Sequence, residues 1–500
     1  MNQIKVGAVI SYLALFLNVV IGLLYTPWVI DSIGKADYGL YTLAMSVISL
    51  FVFDFGLGSA VTRFISKYLA EGRQDKVDRL LGIVFKLYLI GDLIIFLLLI
   101  VLYYCLPLLY QGLTLEELER FRVVYIIASL FSVVSFPFIP LNGILTSYEK
   151  FVQLKSCDLI HKLIIVVLMT ACLFMGGGLF ALVIVNSIAG VIVILLKLWV
   201  LGGKRIKNIS FSFWDTALLK SVMTFSIWVI VIQLAQRCIF NIAPSILAAF
   251  ATSSDITVLG IAICLEGYAF SFANAINGMF LPKVSRMVAD GNRTEILNLM
   301  IRLGRIQIFI IGLICVGFIC VGKEFIELWI GPEYENVYIC ALLIILPSYL
   351  QLPQEIGNTT IVAEGKVKLQ AYAFMLMAVV NVVLAYPMTK YFGVIGLCCS
   401  IMVAYFIRTI SMDVIFVKIL KINVREFFKK SYIKIIPSQV FATFLCLIVN
   451  YYFPLSGWLG LGIKIIVCTI CYGISVWCLA MNSEEKMLIV APVKKLLKIS

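Results

Sequence analysis

Arg237 sits near the middle of an apolar run, with Gln233 and Asn241 four residues to either side. On a helix the three form one polar stripe. A guanidinium in hydrocarbon costs at least ~2.5–3.5 kcal/mol on insertion scales, so it faces a polar cavity or a partner. Arg237 therefore either lines a polar path or packs against a carboxylate. The next apolar run carries Glu266, Asn274 and Asn277. Glu266 and Asn277 are eleven residues apart, about three turns, and share a face. Glu266 is either the partner of Arg237 or a titratable group for a coupling H⁺ or Na⁺. A milder stripe of Ser11, Asn18 and Tyr25 recurs in the first run at heptad spacing. Asn18, Gln233, Asn241, Asn274 and Asn277 are thus candidates to line a polar cavity. Asp92 and Arg408 also lie deep in apolar runs; Asp92 is either a structural carboxylate or a second coupling candidate. Asp158 and His161 share one helix face and read as a structural pair. Arg63, Lys86, Arg302 and Arg305 fall near run ends. They either snorkel to lipid headgroups or form a basic vestibule at the cytoplasmic side, which would draw in a pyrophosphate group and hold it with arginine forks.

The elements that carry these residues must be membrane helices. The chain is 62% hydrophobic and 13% charged over 500 residues, whereas a soluble domain carries about 25% charged residues. Runs of about 20 apolar residues recur throughout, and period-2 alternation is too weak for a barrel. Fourteen spans are expected, near 6–30, 39–62, 82–106, 122–146, 154–175, 179–200, 218–249, 256–282, 303–322, 337–361, 369–390, 394–417, 432–453 and 460–481. Lys and Arg concentrate in alternate loops, which predicts both termini in the cytoplasm. The same loop bias accounts for the net charge of +13 without a nucleic-acid partner.

The chain also repeats itself. Ser66-Lys67-x-x-Ala70-Glu71-Gly72 returns as Ser285-Arg286-x-x-Ala289-Asp290-Gly291, 219 positions on, and Leu109-Tyr110-x-Gly112 as Leu328-Trp329-x-Gly331. Pro137, Asn142 and Lys150 return as Pro353, Asn358 and Lys366 at an offset of 216, and Gly176 as Gly393 at 217. A period this long makes each copy a lobe rather than a solenoid unit. Six spans per copy is an even number, so the copies share one orientation, with a pseudo-twofold axis along the membrane normal. The expected fold is all-α: a six-helix lobe at 1–207, a second at 208–425, and an additional helix pair with a cytoplasmic tail at 426–500.

Several chemistries lack their residues. There is no Gly-x-x-x-x-Gly-Lys-Ser/Thr loop for nucleotide, no nucleophile elbow and no His-Glu-x-x-His. With one histidine, a His-rich metal site is excluded, and no cofactor is expected beyond a coupling ion. All 14 cysteines lie in or at the ends of apolar spans and read as small hydrophobes. No outer loop is large enough for a polymerase or ligase to hold its acceptor, so the chain is not expected to be an enzyme.

The motifs resemble one family. Pro27 and Ile33-Gly34-x-x-x-Tyr38-Gly39-Leu40-Tyr41 join the first two spans, and Asp54-x-Gly56-Leu57-Gly58 with Arg63 closes the second. Leu281-Pro282-x-x-Ser285, Phe325-Ile326-x-Leu328-Trp329-Ile330-Gly331 and Phe392-Gly393-x-x-Gly396 follow later. Together they resemble the polysaccharide-transporter branch of the multidrug/oligosaccharidyl-lipid/polysaccharide exporter superfamily, and within it the Wzx-type O-antigen and capsule repeat-unit flippases. The resemblance implies two six-helix bundles opening alternately inward and outward in a bacterial cytoplasmic membrane. It implies undecaprenyl diphosphate carrying an oligosaccharide as substrate, with membrane lipids and other polysaccharide-assembly proteins as neighbours. It implies a cationic central cavity whose charge Arg237 and Arg408 would supply by binding the diphosphate. A small-molecule exporter of the same superfamily is the alternative. The last helix pair would form a lipid groove if it followed the lipid II flippases of the superfamily.

Overall fold

A computed structural model describes residues 3–51, 54, 57–202, 216–274, 280–487 and 490, and these are helical throughout apart from turns and short connections. The helices are α1 (Gln3–Ile33), α2 (Lys35–Phe51), α3 (Leu57–Ala70), α4 (Gln74–Leu109), α5 (Leu115–Ser135), α6 (Leu141–Ser147), α7 (Phe151–Phe174) and α8 (Leu179–Leu201). Then follow α9 (Thr216–Phe240), α10 (Ala243–Phe250), α11 (Ser253–Asn274), α12 (Leu281–Ala289), α13 (Arg293–Ile330), α14 (Glu335–Gln351) and α15 (Glu355–Ala363). The chain ends in α16 (Val367–Lys418), α17 (Val424–Lys430), α18 (Tyr432–Tyr452) and α19 (Gly457–Leu479).

Among the described residues, eleven helical segments are long and apolar enough to cross a membrane. A twelfth is added if Val19–Ile33 and Lys35–Leu50, bent by 116°, count as one span. The bend falls at Gly34, whose φ of +88° suits a residue without a Cβ. The count is lower than the fourteen segments expected, and one reason is local. The expected segments 369–390 and 394–417 both fall in α16, which is two helices meeting at Gly393 (φ 58°, ψ −141°). Three residues on, a Cβ at Gly396 would lie 2.0 Å from the Met388 carbonyl oxygen. The Phe392-Gly393-x-x-Gly396 motif is therefore a tight break that both glycines make possible. Gly396→Ala is expected to destabilise the folded protein by about 1–3 kcal/mol, read as a lower melting temperature in detergent.

The repeat read from the sequence has local structural counterparts. Gly72 and Gly291 have nearly equal left-handed φ values, +70° and +68°, and each ends a short charged helix. Pro137 and Pro353 each sit in a single 3₁₀ turn, Phe136–Phe138 and Leu352–Gln354, ahead of a short helix. Proline lacks the backbone donor that would continue the i→i−4 ladder, which accounts for both interruptions. Gly176 and Gly393 also share positive φ.

By compactness the chain forms two units, one of residues 1–260 with 374–401, the other of 261–373 with 402–500. The expected lobe boundary at 207/208 lies outside the described residues. In the first unit, Gly143 packs so closely on α3 that a Cβ would stand 2.6 Å from the Gly58 carbonyl. The Asp54 carboxylate accepts the Gly58 N–H at 2.9 Å and the Tyr88 hydroxyl at 2.7 Å, tying the start of α3 to α4. In the second unit the last helix pair packs on α13 through polar groups. Gln439 donates to the Ile308 carbonyl at 3.1 Å and to the Tyr472 hydroxyl at 3.0 Å, and accepts from Tyr349 at 2.5 Å. Gly312 leaves room for this network.

Candidate functional site

The stripe on α9 rests on α2. Arg237 Nη1 donates to the Ser49 carbonyl, and Asn241 Nδ2 to the Ser49 hydroxyl. Ser46 returns a bond from its Oγ to the Asn241 carbonyl at 2.5 Å. The Arg237 side chain is half-buried, as are Gln233 and Asn241. A second layer adds Asn381, whose Nδ2 donates to the Cys238 carbonyl at 3.1 Å and whose Oδ1 accepts from Ser400 at 3.2 Å. Serine and asparagine thus hold the arginine's backbone neighbours through dipoles.

The second unit carries the other deep charges. Glu266 on α11 is 8% exposed and accepts from the Ser348 hydroxyl at 3.3 Å. Tyr405 lies within electrostatic reach of Glu266 and of Arg408, which is 3% exposed. Glu355, at the start of α15, lies within reach of Arg408 in turn and accepts from Asn358 Nδ2 at 2.8 Å. Glu266, Tyr405, Arg408 and Glu355 therefore form one chain of interactions inside membrane-spanning helices. Glu355 reaches the Arg408 guanidinium directly, whereas Glu266 is linked to it through Tyr405.

The vestibule candidates separate. Arg305 is 4% exposed, and its nitrogens are committed: Nε and Nη2 to Glu485 at 2.5 and 2.8 Å, Nη1 to the Lys430 carbonyl at 2.7 Å, Nη2 also to the Ala480 carbonyl at 2.7 Å. It clamps the segment after α19 onto α13. Breaking such a buried pair leaves an uncompensated charge and costs about 3–5 kcal/mol. Arg305→Ala is expected to show that loss in thermal or denaturant melting, with Glu485→Gln losing less. Arg302, one turn away, is exposed and lines a cavity of about 730 Å³ with Lys283, Lys430, Glu295 and Glu484. Lys86 is half-buried on α4. Asp92 is half-buried on α4, with Oδ1 enclosed and without a hydrogen-bond partner among the described residues. Asp158 pairs with Lys197 at 3.1 Å and not with His161 as expected; the His161 Nε2 is enclosed without a hydrogen-bond partner among the described residues. The side chains of Asn18, Arg63 and Asn274, and all of Asn277, lie outside the described residues.

Ser46, Ser49, Ser348, Tyr405, Glu355 and Asn381 escaped the sequence reading. Hydroxyls in apolar runs are common. Glu355 follows a proline near a run end, where a carboxylate draws no notice. Its spacing to Asn358 on one helix turn was the available signal.

Outside the membrane segments, Glu364 joins α15 to α16. Burial alone would push its carboxyl up, but hydrogen bonds from Lys366 at 2.8 Å and from Arg293 outweigh that and hold it below the usual carboxylate value. A depressed carboxylate stabilises the fold above its unfolded pKa, about 4.3, and that contribution is lost as pH falls through the folded value. Melting temperature measured down through that range should fall more steeply in the wild type than in Glu364→Gln.

Residues 4–288, more than half of the chain, match the family described as polysaccharide biosynthesis protein. The chain belongs to this family. Along nearly its whole length it is similar to the membrane protein EpsK of Bacillus subtilis strain 168, 21% identical with 96% of each chain covered. A shorter stretch is 24% identical to the capsular polysaccharide biosynthesis protein CapF of Staphylococcus aureus, covering 28% of this chain and 35% of that one. Among solved structures, the lipid II flippase MurJ in an inward closed conformation shares the fold at a TM-score of 0.68, with 15% identity, 94% of this chain and 97% of that one covered. An inward-facing multidrug resistance MATE family transporter of the MOP superfamily follows at 0.64, with 15% identity and coverage of 81% and 96%. Family and fold together describe a multi-pass membrane protein of the polysaccharide biosynthesis protein family, with a fold like those of MurJ and the MATE transporter. The resemblance read from the sequence motifs is borne out at the level of the polysaccharide biosynthesis family and the fold.

Proposed function

We propose that this protein is a flippase. It carries an undecaprenyl-diphosphate-linked oligosaccharide repeat unit across a bacterial cytoplasmic membrane for surface polysaccharide assembly. Family membership over residues 4–288 carries the reading, and the MurJ-like fold supports it. Fourteen crossings, both termini in the cytoplasm, and two six-helix lobes alternating in access complete the proposal. Arg237 binds the diphosphate, a task suited to a guanidinium fork, and Arg408 takes part through its pairing with Glu355. The glycan rides along the polar stripe of Gln233 and Asn241, and the prenyl chain stays in lipid. Glu266 is the coupling group, with Asp92 the counterpart in the first unit, each binding H⁺ or Na⁺ in the resetting half of the cycle.

Deleting the gene in its host should abolish one surface polysaccharide while its lipid-linked repeat unit accumulates on the cytoplasmic side. A normal polysaccharide together with raised sensitivity to toxic organic cations would instead favour a small-molecule exporter, the reading that the MATE-like fold keeps open.

A further inference from the structure

Three of the cysteines are not dispersed like the rest. Cys320 on α13, Cys446 on α18 and Cys468 on α19 come from three different helices, yet their sulfurs all lie within 4.8 Å of one another. Cys446 and Cys468 are 1% and 4% exposed, and Cys320 is partly buried. Cys320 Sγ stands 3.8 Å from the Thr443 carbonyl and Cys446 Sγ 3.9 Å from that of Cys468, contacts too weak to hold the thiols in place. The backbones are fixed independently: Asn450 Nδ2 donates to the Cys320 carbonyl at 3.1 Å, and Lys464 pairs with Glu324 at 2.6 Å. Lys464 lies four residues before Cys468, and Glu324 four after Cys320, so this ion pair sits one turn from the sulfurs.

We propose that the three thiols form a binding site for a soft, thiophilic, low-coordinate metal ion of the Cu(I) class. A cysteine used only as a small hydrophobe packs on carbon; three that converge on one another present a ligand set. Sulfurs at about 2.3 Å from one ion stand about 4 Å apart in a trigonal plane, a spacing this cluster reaches with side-chain adjustment alone. No carboxylate or histidine joins the group among the described residues. A structural zinc site wants four protein ligands, whereas soft thiolates alone suit Cu(I). Charge favours the monovalent ion too. As Cu(I) enters and one S–H proton leaves to solvent, the copper–sulfur bond replaces the sulfur–hydrogen bond and the charge of the site is unchanged. Each further proton lost adds a negative charge, which the monovalent ion with one thiolate avoids. Bound metal would lock the last helix pair to α13.

The test uses the full chain, purified in detergent, reduced and anaerobic. It is loaded with Cu(I), then challenged with a Cu(I)-specific chelator, and retained copper is counted by mass spectrometry. One ion per chain should survive the challenge. Cys320→Ser, Cys446→Ser and Cys468→Ser should each release it at least tenfold more readily, while Cys105→Ser and Cys478→Ser retain it. X-ray absorption on the loaded wild type, which needs no variant to fold, should show sulfur ligands only. Failure of the wild type to retain copper, equal retention by the three variants, nitrogen or oxygen ligands, or retention of Zn(II) in preference to Cu(I) would each overturn the assignment.

Discussion

Arg237→Ala is expected to cut transport of the lipid-linked oligosaccharide by about 10- to 100-fold, because one charge-assisted hydrogen bond is worth roughly 1.5–3 kcal/mol. The protein should still reach the membrane. The arginine donates to the Ser49 carbonyl, and a carbonyl that loses one donor at a half-buried position costs far less than a buried ion pair. Arg237→Lys should fall between the two, since lysine keeps the charge and loses the fork. Expression in a deletion strain, with surface glycan quantified against membrane-protein level, separates the outcomes. Loss of glycan with loss of protein would mark a structural residue, and full glycan with alanine at 237 would remove it from the substrate path.

The second large effect concerns the Glu266–Tyr405–Arg408–Glu355 chain. A gradient of one pH unit supplies about 1.4 kcal/mol, up to tenfold in rate. If Glu266 is the coupling group, the wild type responds to an imposed proton or sodium gradient and Glu266→Gln does not. Glu355→Gln should differ in kind. It takes a carboxylate from Arg408, which is 3% exposed, so it should lower stability as well as transport. Paired measurements of gradient response and melting temperature distinguish a coupling carboxylate from a structural one. Asp92→Asn serves as the first-unit comparison, and retention of coupling there would assign the ion to Glu266 alone.

How far the sequence reaches is visible at particular residues. Duplicated glycines and prolines were legible because each answers a backbone demand: Gly72 with Gly291 at left-handed φ, Pro137 with Pro353 in 3₁₀ turns. The Arg237 stripe was legible because four-residue spacing is a helix property and polar residues in apolar runs stand out. What supports that stripe was not, since Ser46 and Ser49 lie some 190 residues away. Arg305 shows the same boundary. From sequence, a cation near a run end reads equally as a lipid anchor, a vestibule charge or a buried clamp. Its partner Glu485 follows the last long helix, 180 residues on, and nothing local announces the pair. The cysteines mark the sharpest divide: fourteen scattered through apolar spans carry no pattern, and only folding brings three together.

The most direct test of the proposed flippase reconstitutes the purified chain in liposomes that hold undecaprenyl-diphosphate-linked oligosaccharide with a labelled sugar. The fraction of label open to a glycosidase added outside is then followed with time. Wild-type protein should expose the inner-leaflet pool within minutes, and Arg237→Ala should slow that exposure by about 10- to 100-fold. Equal protection with and without the wild-type chain, under either imposed gradient, would contradict the account.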